Sequence, residues 1–586
     1  MKIRLLTVMI LPAMLLTSCR LLQERSTFAK EIQIYDLDNI SEDGDVEEGH
    51  DGKIVARFYE GEDYIPYITL RQYASLYKNH LAPNATSTCE SEDHFTWSVR
   101  LDDQYVFMTE INPSSRAIAV AGSLDSAYKD NDNPVDTKAL MAGMHSKYAS
   151  LESGTGYATY SYAGTGIKTF KYDGEYYFPL SLLDLTYSYD TSIYFFYNYA
   201  GIYSTKDVEH YSDKHFSVDG VLHNVDSQML ASKQDNEMPK YLREFNANAF
   251  LYLMDNMYGL KEYKGIKTMK SYYKSNNIYN KLFSTTSNNR AQAYADALDI
   301  FDDNHTALVS ANETWGEDNY ITRRLSKGIA SRRALNQRLT ANRKAYYESY
   351  FGGQEVKPGD DIVYSADGKT AMYMFNSFSF APQDIYDGTD KQALYKADTF
   401  FNLIHIFDTI KAKGGVENII LDISTNGGGT VGVMMKLLSL ISKDNSSYVY
   451  YKEAASSQVI SAHCAIDSNG DEACDETDAY GNDFNFYILT SDCSYSCANA
   501  FPCTAQIQGM AKIIGQKSGG GECAVAIHYL PNSQYVYHSS MLHLGNYDKA
   551  NREFVGFESG AKPDIEIQNE ADFYDIEKLN NFIANA

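Results

Sequence analysis

Between Met238 and Leu308 apolar residues recur at intervals of three and four, as in EMPKYLREFNANAFLYLMDNMYGL and NRAQAYADALDIF. That is the period of amphipathic helices. The run closes on DDNHTALVS, which leaves His305 just beyond a helix end. A charged, helix-forming stretch broken by Ser326-Lys327-Gly328 follows to about Gly353. From there strand-like and helical runs take turns: TAMYMFNSFSF, DTFFNLIHIFDTIKAKGG, VENIILDIS, VGVMMKLLSLIS, FNFYILTS, a helix from about Ser496, and AKIIG. Such alternation predicts an α/β domain over 354–586 with its active loops at the strand ends.

The first third has a different texture. Glu60–Leu70 reads EGEDYIPYITL and Asp173–Leu183 reads DGEYYFPLSLL, so that Gly61, Glu62, Tyr64, Pro66 and Leu70 match Gly174, Glu175, Tyr177, Pro179 and Leu183 without a gap. A turn, a short strand and a helix start would explain each copy. We therefore expect an α+β N-terminal region over 19–215 with a two-fold internal repeat, then a helical segment over 238–350 that carries His305. Nothing in the N-terminal region looks catalytic, and its tyrosines read as packing and surface residues.

Composition and ends narrow the setting. The chain has 586 residues, beyond what one hydrophobic core usually serves. A formal charge of -26 argues against nucleic acid and anionic membrane surfaces as partners, which need clustered Lys and Arg. Residues 1–18 carry Lys2, Arg4 and an apolar run from Leu5 to Leu16 too short to span a bilayer, which predicts a secretion signal. Leu16-Thr17-Ser18-Cys19 resembles the lipobox of bacterial lipoproteins, implying lipidation at Cys19 and a location in the bacterial cell envelope, lipid-anchored and facing the periplasm or the exterior. Seven cysteines follow Cys19, and export suggests that some of them form disulfides.

Two strand-to-helix junctions could carry chemistry. In ENIILDISTNGGGTVGVMMKLLSLI, Glu417 to Ile441, a buried strand runs into three glycines and a helix, leaving backbone N–H groups open to an oxyanion. Lys and Ser/Thr are missing after the glycines, so this is no P-loop. In TSDCSYSCANAF, Thr490 to Phe501, Ser496 falls at the start of the next helix. It could be a nucleophile with the Cys497 amide beside it, or a plain N-cap, as could Ser494.

Together, ILDISTNGGG, LTSDCSYSCANAF, KIIGQKSGGGECAV and FESGAKPDIEI, in this order and spacing, resemble the tail-specific or C-terminal-processing serine peptidases. The resemblance covers Glu417 to Ile567 and implies a crotonase-like α/β peptidase core with Ser496 as nucleophile and the amides of Gly428 and Cys497 as oxyanion hole. The bacterial processing branch takes a lysine base from the turn at Gly521, which here is glycine. Lys517 stands nearby on the wrong residue of that turn, and an exposed lysine is a poor base at its ordinary pKa. The tricorn-like branch takes a histidine from a D-x-H-T context, which DDNHT supplies, making His305 the base. That branch also places a glutamate ahead of its G-x-x-PD element, matched by Glu558, with Glu553 as runner-up. Among the thirteen histidines, His405 sits in an apolar helical run, and His528, His538 and His543 lie in strand-like segments.

An insertion, DSNGDEACDETD, spaces Asp467, Asn469, Asp471, Asp475 and Asp478 as oxygens one, three, five, nine and twelve of an EF-hand-like loop. It suggests a structural calcium ion, with Cys464 and Cys474 clamping the same insertion. The sequence thus describes an exported serine endopeptidase that acts on a peptide or protein substrate, is held to the membrane through a lipid anchor, and needs no cofactor. The rival reading is a non-catalytic peptide- or ligand-binding lipoprotein on the same fold.

Overall fold

The computed structural model describes residues 26–36, 50–91, 95–102, 104–122, 144–154, 156–191, 193–197, 201–205, 215–218, 221–224, 237–309, 321–322, 324–353, 361–532 and 534–586. The expected signal at 1–18 and the lipidation site Cys19 lie outside them.

The site is built on a six-stranded sheet. Its centre is formed by β1 (Thr370–Met374), helix α1 (Thr399–Lys413), β2 (Asn418–Asp422), α2 (Val431–Ile441), β3 (Asn485–Thr490), α3 (Cys497–Ile507) and β4 (Ala511–Gly515). The four strands are parallel and adjacent in this order, with Val363–Tyr364 antiparallel at one edge and Ile565–Glu566 parallel at the other. Parallel strands need helical crossovers that cover the sheet, which is why IILD and FYILT read as unbroken apolar runs. On one face Ile419, Leu421 and Ile488 pack with α1, α2 and α3. On the other, Ile420, Leu489 and Ile514 meet Leu335 and Leu339 of the helix Lys327–Tyr350 and Leu579 of the C-terminal helix.

A second, antiparallel sheet follows. Strand β5 (Cys523–Tyr529) pairs with the long β6 (Tyr535–Asp548), which also binds Ser447–Glu453, Glu553–Gly556 and the two-residue strand Ala307–Leu308. Beyond Ser447–Glu453 lies Gln458–Ile466, and against it Met144–Ser153, an N-terminal strand completing the sheet from more than 300 residues away.

The N-terminal region holds a seven-stranded and a five-stranded sheet. The two similar stretches meet within the larger one: Tyr67–Thr69 and Glu175–Pro179 pair antiparallel, Ile68 opposite Phe178, and each runs straight into a helix, Leu70–Leu76 or Leu180–Thr191. Thr69 caps its helix reciprocally with Gln72. One apolar core runs from Trp97 and Tyr187 through the helices Lys240–Met257 and Ser287–Asp299 to Cys523, Leu530 and Val536 of the second sheet. The helical segment therefore shares its interior with the regions on either side.

Candidate active site

β3 ends at Thr490, and the chain turns sharply before α3. Ser496 stands at that turn with φ 59° and ψ −127°, a conformation costly for a residue with a Cβ. Such strain lifts a side chain clear of both the strand and the helix. Its side chain makes no capping bond and is partly exposed. Ser494 ties the turn instead, donating to the Ile423 carbonyl at 2.8 Å and accepting from the Ser491 amide. The plain N-cap reading thus does not describe Ser496. The Cys497 amide opens α3 and has no partner among the described residues.

The glycine loop after β2 lies against this turn. Gly428 has φ 115°, and a Cβ there would stand 2.7 Å from that of Ser496 and 3.1 Å from the Cys497 nitrogen. Only glycine fits. The expectation that the Gly428 amide faces an oxyanion needs correction: it donates to Asn426 Oδ1 at 2.8 Å, and Asn426 is anchored on the Phe375 carbonyl. Of the expected pair, Cys497 keeps its N–H available.

His305 is placed by what surrounds it. Helix Ser287–Asp299 ends just before it, and Ala307–Leu308 pairs with β6 just after it. Between them Asp303 acts as a buried hub. Its carboxylate accepts from the His305 amide (3.0 Å), Thr306 Oγ1 (2.7 Å), Ser539 Oγ (2.8 Å), Tyr258 Oη (3.2 Å) and Tyr495 Oη (3.1 Å). Burial pushes that carboxyl up, but the charge of His305 and these donors outweigh it and hold the group below the usual carboxylate range. His305 itself is pushed below the ordinary imidazole value by burial, against the pull of Asp303. Its ring stands edge-on to that of Tyr495, centroids 5.0 Å apart, and Nδ1 is buried without a partner. No hydrogen bond joins His305 to Ser496 among the described residues; the ring reaches the residue beside the serine.

Tyr495 also explains the missing lysine. Gly521 has φ 85°, and a Cβ there would lie 2.5 Å from the Tyr495 ring. The space a lysine would need at 521 is filled. Lys517 points outward and is exposed.

Glu558 is half-buried next to this turn and makes no hydrogen bond to the imidazole among the described residues. Its Oε2 accepts from the Gly521 and Glu522 amides at 2.9 and 3.1 Å. Burial, helped by the charges of Asp303 and Glu522, raises its carboxyl to about 7. The expected role of orienting the base is thus corrected to holding the 518–522 turn, whose Gly520 carbonyl accepts the Ser496 amide at 3.0 Å. Glu553 is exposed at a strand end. Asp303 and Tyr495 were missed in the sequence; the D-x-H-T context pointed at the first.

Other expected features fall elsewhere. In the acidic insertion Asp478 is buried and accepts from the amides of Ser468, Asn469 and Asp475. Asp467 serves Gly470 and Glu472, Asn469 serves Asp471, Asp471 serves Ala473, and Asp475 serves Thr477. Among the described residues, no three carboxylates of this loop bring oxygens within 4.8 Å of one another. Cys464 is a buried thiol whose Sγ lies 3.8 Å from the Ala465 carbonyl, so the clamp to Cys474 is not formed. His405 stacks on Tyr395 at 4.4 Å. His528 and His538 form a buried pair, 2.9 Å between ring nitrogens.

Residues 395–567 match the model of peptidase family S41. The match encloses every motif from Glu417 to Ile567, makes this the domain of a serine-type peptidase, and leaves His305 outside. No curated protein matches the chain. Among solved structures, a candidate peptidase from Parabacteroides merdae ATCC 43184 is 19% identical with a TM-score of 0.41, covering 58% of this chain and 96% of its own. Mature CPAF complexed with lactacystin is 12% identical with a TM-score of 0.35 over 59% and 98% of the two chains. The tricorn protease is 15% identical with a TM-score of 0.23 over 42% and 19%. At such scores these likenesses carry no weight of their own beside the S41 match.

Proposed function

We propose that this S41 peptidase is an exported, lipid-anchored endopeptidase of the bacterial envelope, with Ser496 as nucleophile and His305 as general base. The observation that carries the reading is the strained, uncapped Ser496 beside the unpartnered Cys497 amide. Ser496 Oγ attacks the scissile carbonyl carbon while its proton passes to His305 Nδ1, the nitrogen left without a partner. The oxyanion takes the Cys497 N–H. His305 then protonates the leaving amine, and water releases the acyl group by the same steps in reverse order. Asp303 offsets the imidazolium charge that forms. Ser496 and His305 have to close on each other, as catalytic pairs without substrate often do. No step needs a cofactor. The parallel sheet with its glycine loop and nucleophile turn supports the crotonase-like reading of the core, and the pairing of Tyr67–Thr69 with Glu175–Pro179 supports a duplicated N-terminal unit.

The absent Ser496–His305 bond is the observation favouring the binding-protein rival. A fluorophosphonate probe decides between them: labelling at Ser496, lost in Ser496→Ala and in heat-denatured protein, supports the peptidase. A folded chain that takes no label would establish the rival. The anchor has a separate test, since Cys19→Ser should move the active protein from membrane to soluble fraction.

A further inference from the structure

Where β5 begins, three side chains of different chemistry converge. Cys523 and His543 are direct cross-strand partners on β5 and β6, and Cys523 Sγ lies 3.9 Å from either ring nitrogen. His543 Nδ1 is 2.7 Å from Glu522 Oε1. One ligand atom from each lies within 4.8 Å of the others, the sole such set among the described residues. Glu522 and Cys523 are buried, while His543 keeps a narrow opening to solvent, its side chain 12% exposed.

The proposed peptidase chemistry uses none of the three side chains, yet they are held in place. Glu522 Oε2 accepts the Glu558 amide at 2.7 Å and lies so close to Gly556 that a Cβ there would meet it at 2.0 Å. Burial, then the charges of Glu522, Glu558 and Asp303, push the Cys523 thiol up. A thiol ringed by carboxylates is a poor nucleophile, because its anion is disfavoured. The same surroundings attract a divalent cation, and a cation would favour the thiolate.

We propose that Glu522, Cys523 and His543 bind a zinc ion. Sulfur, nitrogen and oxygen donors together suit zinc, whereas calcium and magnesium take oxygen alone. Bonds of about 2.0–2.3 Å place the ligand atoms of a tetrahedral zinc roughly 3.3–3.7 Å apart. The observed 3.9 and 2.7 Å bracket that spacing, so side-chain rotations suffice. On binding, the Cys523 S–H gives its proton to solvent as the sulfur–zinc bond forms, and a water fills the fourth position. The ion would pin the start of β5 to β6. That start carries the Cys523 backbone, which acts on the His305 ring, and follows Gly520, which holds the Ser496 amide. Zinc would thus stiffen the turn on which both proposed catalytic residues lean.

Metal content tests this without reference to hydrolysis. The purified chain, stripped with chelator, exposed to zinc and desalted, should keep about one zinc per chain. With cobalt in its place it should show a thiolate-to-cobalt charge-transfer band. Both signals should vanish in Cys523→Ser and His543→Ala, each checked for native circular dichroism, and persist in Cys464→Ser. A wild-type chain that keeps no zinc, or binds cobalt without the thiolate band, would overturn the proposal. So would a folded His543→Ala variant retaining the full signal.

Discussion

Tyr495 joins three parts of the candidate site. Its ring occupies the volume above Gly521, its hydroxyl reaches Asp303, and its edge faces His305. A side chain at 521 therefore displaces the residue that docks the Asp303–His305 loop onto the turn holding Ser496. Gly521→Ala should lower unfolding stability by about 1–3 kcal/mol through overpacking, measurable by denaturant titration, and should reduce hydrolysis as well. His305→Ala should cost ~10²–10⁴ in kcat, whereas Lys517→Ala, on the exposed outer side of the turn, should leave it unchanged. Equal losses in both variants would contradict the assignment. The motifs that hold Ser496, His305 and the glycine loop were legible in the sequence because each is local. Asp303 as a five-donor hub was not, because its partners come from positions as distant as 258, 495 and 539 and only the fold assembles them. Gly428 shows the opposite limit: the motif located the residue, but which way its amide points depended on Asn426.

At the scale of the element, β5 and β6 carry a pH dependence of their own. His528 and His538 are fully buried against each other, and burial, then mutual repulsion for His528, drives both pKa values down, His538 to about 4. The folded form holds them neutral and the unfolded chain protonates them near 6.5. Their contribution to stability is therefore complete above pH 6.5 and declines as pH falls toward 4, by about 3 kcal/mol for His538 alone. Glu558, raised to about 7, works in the other direction between its unfolded value and 7. The informative quantity is thus the difference between wild type and His538→Gln: unfolding free energies at pH 7.5 and 4.5 should change less in the variant. Parallel slopes would show that the pair does not titrate on unfolding. The alternation of strands and helices over 370–515 was plain in the sequence, since buried parallel strands leave continuous apolar runs. The acidic insertion misled, because oxygens spaced for a cation serve equally well to cap a chain of tight turns, as Asp478 does for three amides.

For the whole molecule, the S41 match marks out less than what has to fold together. Val536, Leu530 and Cys523 of the second sheet pack in the same core as the N-terminal region and the helices that position His305. A truncated chain beginning at residue 354 contains all of 395–567 yet lacks His305, the proposed base, and exposes that core. It should be insoluble or inactive toward the fluorophosphonate probe; a soluble, labelled fragment would show that the core divides. Periodicity could mark regions along the chain, but it could not show that Met144–Ser153 crosses between them, since a strand's partner is not written in its own residues. That crossing bears on how the protein comes into being. Ser150 meets Ser461 across 311 positions, so a chain synthesised from its N-terminus holds this strand without its mate until Ile466 has emerged. Closing so long a loop is slow, and an unpaired strand invites pairing with neighbouring molecules. The fold thus commits its maker to a waiting period, during which the open edge of this strand faces the rest of the crowd.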